Sequence, residues 1–122
     1  YYQNGLDLVI IDYLQLIESY GQVENRNLEV AQYTRRLKSI AHEIKVPVLC
    51  LSQLNRAIEL RTDQTPKLSD LRDSGSIEQD ADVVMFLSES QYKTNLNIAK
   101  NRHGYTGQLA FTFKQEISRF EE

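Results

Sequence analysis

Apolar and polar positions follow three different rhythms along the chain, and each rhythm predicts a different element. Leu6 to Ile11 (LDLVII) is a nearly unbroken apolar run, rich in β-branched residues and ended by Asp12. Strands covered on both faces in a parallel sheet read this way. From Leu28 to Ile44 the rhythm changes to steps of three and four, with Val30, Thr34, Leu37, Ala41 and Ile44 falling on one stripe. That stripe predicts an amphipathic helix, with Asn27 as its cap, Glu29 near its start and Lys45 just past its end, where each charge suits the helix dipole. Pro47 then introduces a second apolar run, Val48 to Ser52, so the first third reads as strand, helix, strand, a right-handed βαβ unit.

Leu54 to Asp73 is polar and carries Arg56, Arg61, Pro66, Lys67 and Arg72. The expectation is a long loop with little regular structure, mobile without a ligand. Ser76 to Asp80 predicts a helical turn, and Val83 to Leu87 (VVMFL) a third buried strand. Leu96 to Arg102 and Gln108 to Phe113 alternate, with Leu109, Phe111 and Phe113 on one face, and Ile117 to Phe120 follows a short turn. Alternation of this kind predicts antiparallel strands added to one edge of the sheet. No repeat or low-complexity stretch divides the chain, which reads as one α/β unit.

Composition narrows the classes. Hydrophobic residues make up 41% of the 122, enough for a core, and a net charge of −3 provides no overall basic field to attract phosphates, so any nucleic-acid binding is local. One cysteine, Cys50 in an apolar run, excludes a disulfide framework and reads as a structural thiol in an intracellular protein. No apolar stretch approaches the roughly 20 residues that span a bilayer, so a soluble protein with no membrane partner is expected. His42 and His103 are too few and too far apart to predict a metal cluster. The opening residues Tyr1 to Gly5 resemble the interior of a longer chain rather than a leader.

Four places can carry chemistry. Asp12 ends a buried strand, at the sheet edge where ligands of open α/β sheets gather, and an aspartate there either holds Mg²⁺ or merely caps a turn. Ser52-Gln53 ends the next strand at the same edge. A neutral amide there either orients a γ-phosphate or attacking water, or is simply solvated. Lys100 and Arg102, two residues apart on a strand, point the same way and either converge on an anion or protect a sheet edge. The segment Asp70-Leu71-Arg72-Asp73-Ser74-Gly75-Ser76 offers a cation, a glycine and several backbone donors, suited to a phosphate backbone or to an ordinary loop. Against these stands an absence: none of the five glycines belongs to a G-x-x-x-x-G-K loop followed by Ser or Thr, so the chain has no phosphate cradle of its own.

Taken in order, IDYLQL (Ile11 to Leu16), PVLCLSQLNR (Pro47 to Arg56), SDLRDSGSIEQDADVVMFL (Ser69 to Leu87) and KNRHGYTG (Lys100 to Gly107) resemble the successive motifs of the DnaB family of replicative helicases, over about Leu6 to Phe120. The resemblance implies a RecA-like P-loop NTPase core, mostly parallel with an antiparallel carboxyl-terminal edge, of which only the carboxyl-terminal half is present as a single partial domain. It implies a homohexameric ring around single-stranded DNA that hydrolyses ATP with Mg²⁺ between neighbours, and primase and a helicase loader as partners of the full-length protein. Asp12 would match the Walker B aspartate, Gln53 the γ-phosphate sensor, and Lys100 and Arg102 the basic pair donated across the interface, Arg102 as arginine finger. Arg72, Asp73 and Gly75 would match the loop that grips DNA. Two positions depart from the family pattern, Asp73 where a glutamate is usual and Tyr105 where a proline is usual. The Walker A loop, the catalytic glutamate and the primase-binding domain are expected upstream of Tyr1, so the isolated chain is expected to be inactive. A recombinase of the RecA or RadA type and an inactive assembly module are the alternatives; SIEQDADVV argues against the first, and intact Asp12, Gln53, Lys100 and Arg102 against the second. The bacterial cytoplasm is the expected compartment, with the plastid stroma as alternative.

Overall fold

The computed structural model describes residues 5–17, 25–71, 74–90 and 93–121. The chain packs as two compact units, Tyr1–Asn55 with Leu71–Ala81, and Arg56–Asp70 with Asp82–Glu122.

In the first unit the two leading apolar runs become β1 (Val9–Ile11) and β2 (Val48–Cys50), paired in parallel with Val9 opposite Val48 and Ile11 opposite Cys50. The crossover between them is α1 (Arg26–Ile44). Its predicted stripe is the face turned inward: Val30 is fully buried, and Thr34, Leu37, Ala41 and Ile44 are half-buried. The cap differs from expectation. Asn25 rather than Asn27 holds the N-terminus, its side chain accepting the Asn27 N–H at 3.0 Å, because the helix begins two residues earlier than the stripe does. Lys45 closes the other end in the left-handed conformation, φ 55°, and its N–H returns to the Ala41 carbonyl. A short helix, α2 (Ser74–Asp80), packs on α1, where the Thr34 hydroxyl donates to the Asp80 carboxylate. Leu14, Val30, Val46, Leu71 and Ile77 are the buried apolar side chains of this unit.

Neither leading strand is covered on both faces: Ile10 is 61% exposed, and Leu8, Leu49 and Leu51 are exposed with it. Partial burial raises the Cys50 thiol above its ordinary pKa.

The second unit is an antiparallel meander of β3 (Val83–Ser90), β4 (Lys93–Asn101), β5 (Gly107–Lys114) and β6 (Arg119–Glu121). The third apolar run is therefore a strand, as expected, but its neighbour is β4 and the pairing is antiparallel, with Leu87 opposite Leu96. Burial alternates along it, Val84 and Phe86 being buried while Val83, Met85 and Leu87 are exposed, so an unbroken apolar run here marks one covered face rather than two. Phe111 and Phe113 line up on the face predicted for them, Phe111 meeting Phe120 of β6 edge to face and Phe113 packing against it at a tilt of 32°.

The expected loose loop is the sharpest correction. Residues 56–70 contain two 3-10 turns, Arg56–Leu60 and Leu68–Asp70, closed by a clasp. Arg61 grips Asp70 through both terminal nitrogens, at 3.0 and 2.7 Å, and also donates to the Thr65 carbonyl at 3.1 Å. Asp70, 7% exposed, accepts the Lys67 N–H at 2.8 Å. A bidentate, charge-assisted pair spanning nine residues orders a segment whose composition reads as coil. Burial by itself raises the Asp70 pKa, but the Lys67 N–H and the Arg61 guanidinium outweigh it and hold the carboxyl below its ordinary value.

The sign of this shift sets a pH dependence. A carboxyl whose native pKa lies below its unfolded one stabilises the fold above the unfolded value, about 4, and that contribution is lost as pH falls through the native value. Asp70→Asn is expected to melt lower at neutral pH and to lose less stability on acidification than the unsubstituted chain. Melting curves across the acid range that fall in parallel for both chains would show the clasp to be inconsequential.

Candidate functional site

Parallel pairing of two strands puts both of their carboxyl ends at one edge, and here each end carries a predicted site residue. Asp12 follows Ile11, the last residue of β1, and its side chain is exposed. Gln53 lies three residues beyond Cys50, the end of β2, and is also exposed. The two chains stay zipped past the regular sheet: Leu51 N–H donates to the Ile11 carbonyl at 2.9 Å, and Leu14 N–H to the Leu51 carbonyl at 2.9 Å. A 3-10 turn, Leu14–Leu16, is anchored by Leu14, 3% exposed, and presents Gln15 to the end of β2. The Gln15 carboxamide donates to the Ser52 hydroxyl at 3.0 Å and accepts the Gln53 N–H at 3.2 Å. Gln15 was not a sequence candidate; the only signal for it is its place three residues after Asp12 within IDYLQL.

Asp12 suits the ion expected there. Mg²⁺ is held by one or two carboxylates, with water and phosphate oxygens completing its octahedron, so a single exposed carboxylate beside an open strand edge is an adequate protein share. No cluster of three or more His, Cys, Asp or Glu occurs among the described residues, so a site formed wholly by protein ligands is not what this arrangement offers.

The basic pair belongs to the second unit. Lys100 lies within β4, opposite Val84, and is half-buried. Arg102 falls one residue beyond the strand, not within it, yet its N–H donates to the Asp82 carbonyl at 2.8 Å and so continues the β3–β4 ladder. Its guanidinium meets the Asp82 carboxylate at 3.3 Å, with both side chains more than 40% exposed. The turn that follows is organised by Asn101, which donates to the Tyr105 carbonyl at 3.2 Å and accepts the His103 N–H at 3.4 Å. Gly104 makes room for it: a Cβ at that position would lie 2.6 Å from the Asn101 amide nitrogen. Tyr105, the residue that replaces the usual proline, projects into solvent.

Of the predicted DNA-gripping residues, Gly75 lies in the first turn of α2, exposed and with open space around its Cα. Arg72 and Asp73 lie outside the described residues. The segment entering them is held on one side by the Arg61–Asp70 clasp and on the other by an antiparallel bridge from Leu71 to Leu54. None of Gln15, Asp82, Asn101 and Arg61 was singled out as a site residue, because each acts through a partner that only the fold supplies.

A strand-helix-strand with chemistry at its carboxyl edge, followed by an antiparallel meander with a basic turn, defines a segment of a RecA-like α/β ATPase domain. The chain belongs to the DnaB-like helicase C terminal domain family, whose sequence profile matches residues 1–122. It is 46% identical over 96% of its length to the replicative DNA helicase DnaB of Pasteurella multocida, and 47% identical over 97% to the replicative DNA helicase DnaC of Bacillus subtilis. The DnaB of Leifsonia xyli is 50% identical over 97% of the chain. The chain spans 27 to 28% of the length of these relatives. Among solved structures, one of a DnaB-like replicative helicase and its interactions with primase superposes with a TM-score of 0.88 at 41% identity, covering 96% of this chain and 30% of that one. An isolated ATPase domain superposes equally well, the match covering 44% of its length.

The Gly104 contact gives a test of the basic turn that needs no nucleotide. Gly104→Ala displaces the Asn101 carboxamide and forfeits its bonds, at a cost of about 1 kcal/mol each. Denaturant unfolding is expected to show Asn101→Ala equally destabilised and the double substitution no worse than either, since the steric conflict disappears with its partner. Additive losses would mean that Gly104 serves the backbone and not Asn101.

Proposed function

We propose that this chain is the carboxyl-side part of the motor of a replicative DNA helicase, a protein that uses ATP and Mg²⁺ to translocate 5′ to 3′ on single-stranded DNA and unwind duplex at the replication fork as a homohexameric ring. The observation that carries the reading is the joined edge of β1 and β2, where Asp12 and Gln53 follow neighbouring strand ends linked by backbone and carboxamide hydrogen bonds. Primase and a loader are its partners through the complete protein. The relatives named above are bacterial, which favours the bacterial cytoplasm and lends nothing to a plastid.

Transfer of the γ-phosphoryl group passes through a loose transition state, so the protein's task is to position groups and to neutralise charge. Asp12 would hold Mg²⁺, which when bound offsets the negative charge of the β- and γ-phosphates. Gln53, on a backbone fixed by Gln15, directs its neutral amide at the γ-phosphate or the attacking water. Lys100 and Arg102 serve the nucleotide of a neighbouring subunit. Asp82 holds Arg102 in the meantime. An exposed ion pair contributes about 0 to 1 kcal/mol, so the guanidinium exchanges it readily for a phosphate of higher charge. Throughout that exchange the Arg102 backbone stays pinned to Asp82. Arg72, Asp73 and Gly75 grip the sugar-phosphate backbone, which suits a motor that moves along any sequence.

By itself the 122-residue chain is expected to hydrolyse no ATP, because it lacks a phosphate cradle. A complete chain is obtained by letting residues 1–122 replace the matching segment of the Bacillus subtilis relative. In that background Asp12→Ala and Arg102→Ala should each abolish DNA-stimulated ATP hydrolysis, while a mixture of the two regains part of it, since one intact interface needs Asp12 from one subunit and Arg102 from the next. Full activity of Arg102→Ala alone would remove the arginine finger from the mechanism and favour an assembly module.

A further inference from the structure

The β1–β2 ladder ends in an unusual way. Backbone bonds carry it from the Val9 N–H to the Pro47 carbonyl, through the regular pairs, to Leu51 donating to Ile11 and Leu14 donating to Leu51. Beyond that point the β1 chain has turned away into its 3-10 turn, and the β2 extension at Ser52 and Gln53 no longer faces strand backbone. A side chain takes over. The Gln15 carboxamide is chemically a peptide unit, one C=O acceptor and N–H donors on one planar group, and it occupies the next place in the ladder: its oxygen accepts the Gln53 N–H and its nitrogen donates to the Ser52 hydroxyl. The base of this side chain is fixed by Leu14, buried and bonded to Leu51, so the carboxamide is presented from a rigid point.

We infer that Gln15 is a positioning residue of the ATPase site: by holding the backbone of Gln53 it sets where the Gln53 amide points, and it ties that amide to the Asp12 end of β1. The inference rests on the reading of Gln53 as the γ-phosphate sensor. Asp12 and Gln53 stand on different strands, and the element that follows each is irregular, so regular sheet pairing no longer fixes their separation. The Gln15 bridge restores that constraint 37 and 38 residues apart in sequence. A glutamine serves here where a glutamate does not serve equally. Gln15→Glu keeps the acceptor for Gln53 and lets the Ser52 hydroxyl reverse to donate, but it adds a negative charge close to where a triphosphate would lie. Gln15→Met keeps the length and can neither donate nor accept effectively.

Steady-state ATPase measurements on the active complete chain, with saturating single-stranded DNA, test this. Gln15→Met should lower kcat about tenfold or more, as misplacement of a catalytic group by a fraction of an ångström does, with KM for ATP and the melting temperature little changed. Ser52→Ala should fall between, and adding it to Gln15→Met should cost nothing further. The decisive comparison is with Gln53→Ala. If Gln15 acts only through Gln53, the double substitution hydrolyses ATP no more slowly than Gln53→Ala alone. Losses that multiply in the double, or a normal kcat for Gln15→Met beside a dead Gln53→Ala, overturn the positioning role and leave the sensor reading intact. Full activity of Gln53→Ala overturns the sensor reading itself, and the inference with it.

Discussion

The parallel pairing of β1 with β2 is the constraint on which the candidate site depends. Antiparallel strands put the carboxyl end of one beside the amino end of its partner, whereas parallel strands put both carboxyl ends together and require a long crossover, here α1, to do so. Once Val9 is opposite Val48 and Ile11 opposite Cys50, Asp12 and the Ser52-Gln53 pair emerge at one edge. The inward stripe of α1 holds the crossover down, with Val30 at its N-terminal end fully buried and the rest half-buried. Site and core are thus consequences of one register: shifting it by a single residue would turn the apolar side chains to the wrong face and separate the carboxylate from the amide.

How much of this could be read in the chain depends on how local the signal is. The two apolar runs, the stripe from Val30 to Ile44, the alternation of β5 and the order of the four motifs are all properties of neighbouring residues, and each corresponds to an element in the structure. The failures have a common cause in partners distant in sequence. Asp70 looks like a loop aspartate until Arg61 folds back on it, and the VVMFL run looks buried on both sides until its pairing with β4 shows only Val84 and Phe86 covered. Asn25 and Asn27 are equally good caps on composition; the start of the helix decides between them, and helix ends are the least local feature of a periodic stripe. Gln15 reads as a polar interruption of an apolar run, and its meaning comes from Ser52 and Gln53.

Asp12, Gln53, Lys100 and Arg102 became candidates for a further reason, a break from apolar residues to a charge or amide near a predicted strand end; in the structure Lys100 lies within β4 and the other three lie beyond a strand. A strand that ends in a solvated polar group looks the same, so the break alone carries little. Their succession in a fixed order, with the tract from Ser69 to Leu87 between them, is what carries the resemblance to the helicase family. Gln15 and Asp82, which bond to two of them, leave no comparable trace in the sequence.

Two of the ion pairs of the second unit show how exposure changes the weight of the same chemistry. Arg61 and Asp70 are joined by two short bonds, with the carboxylate enclosed and a backbone N–H added, so separating them would strand a charge away from water. Breaking a pair of that kind is costly even where forming it adds little to stability, because the penalty falls on whichever partner is left unpaired. Arg102 and Asp82 meet at 3.3 Å with both side chains more than 40% exposed, where water competes for either partner. An enclosed pair of the first kind resists separation, and an exposed pair of the second kind changes partners at little cost. At Arg102 the backbone bond to the Asp82 carbonyl fixes the main chain independently of the side-chain pair, so a change of partner at the guanidinium need not disturb the end of the strand.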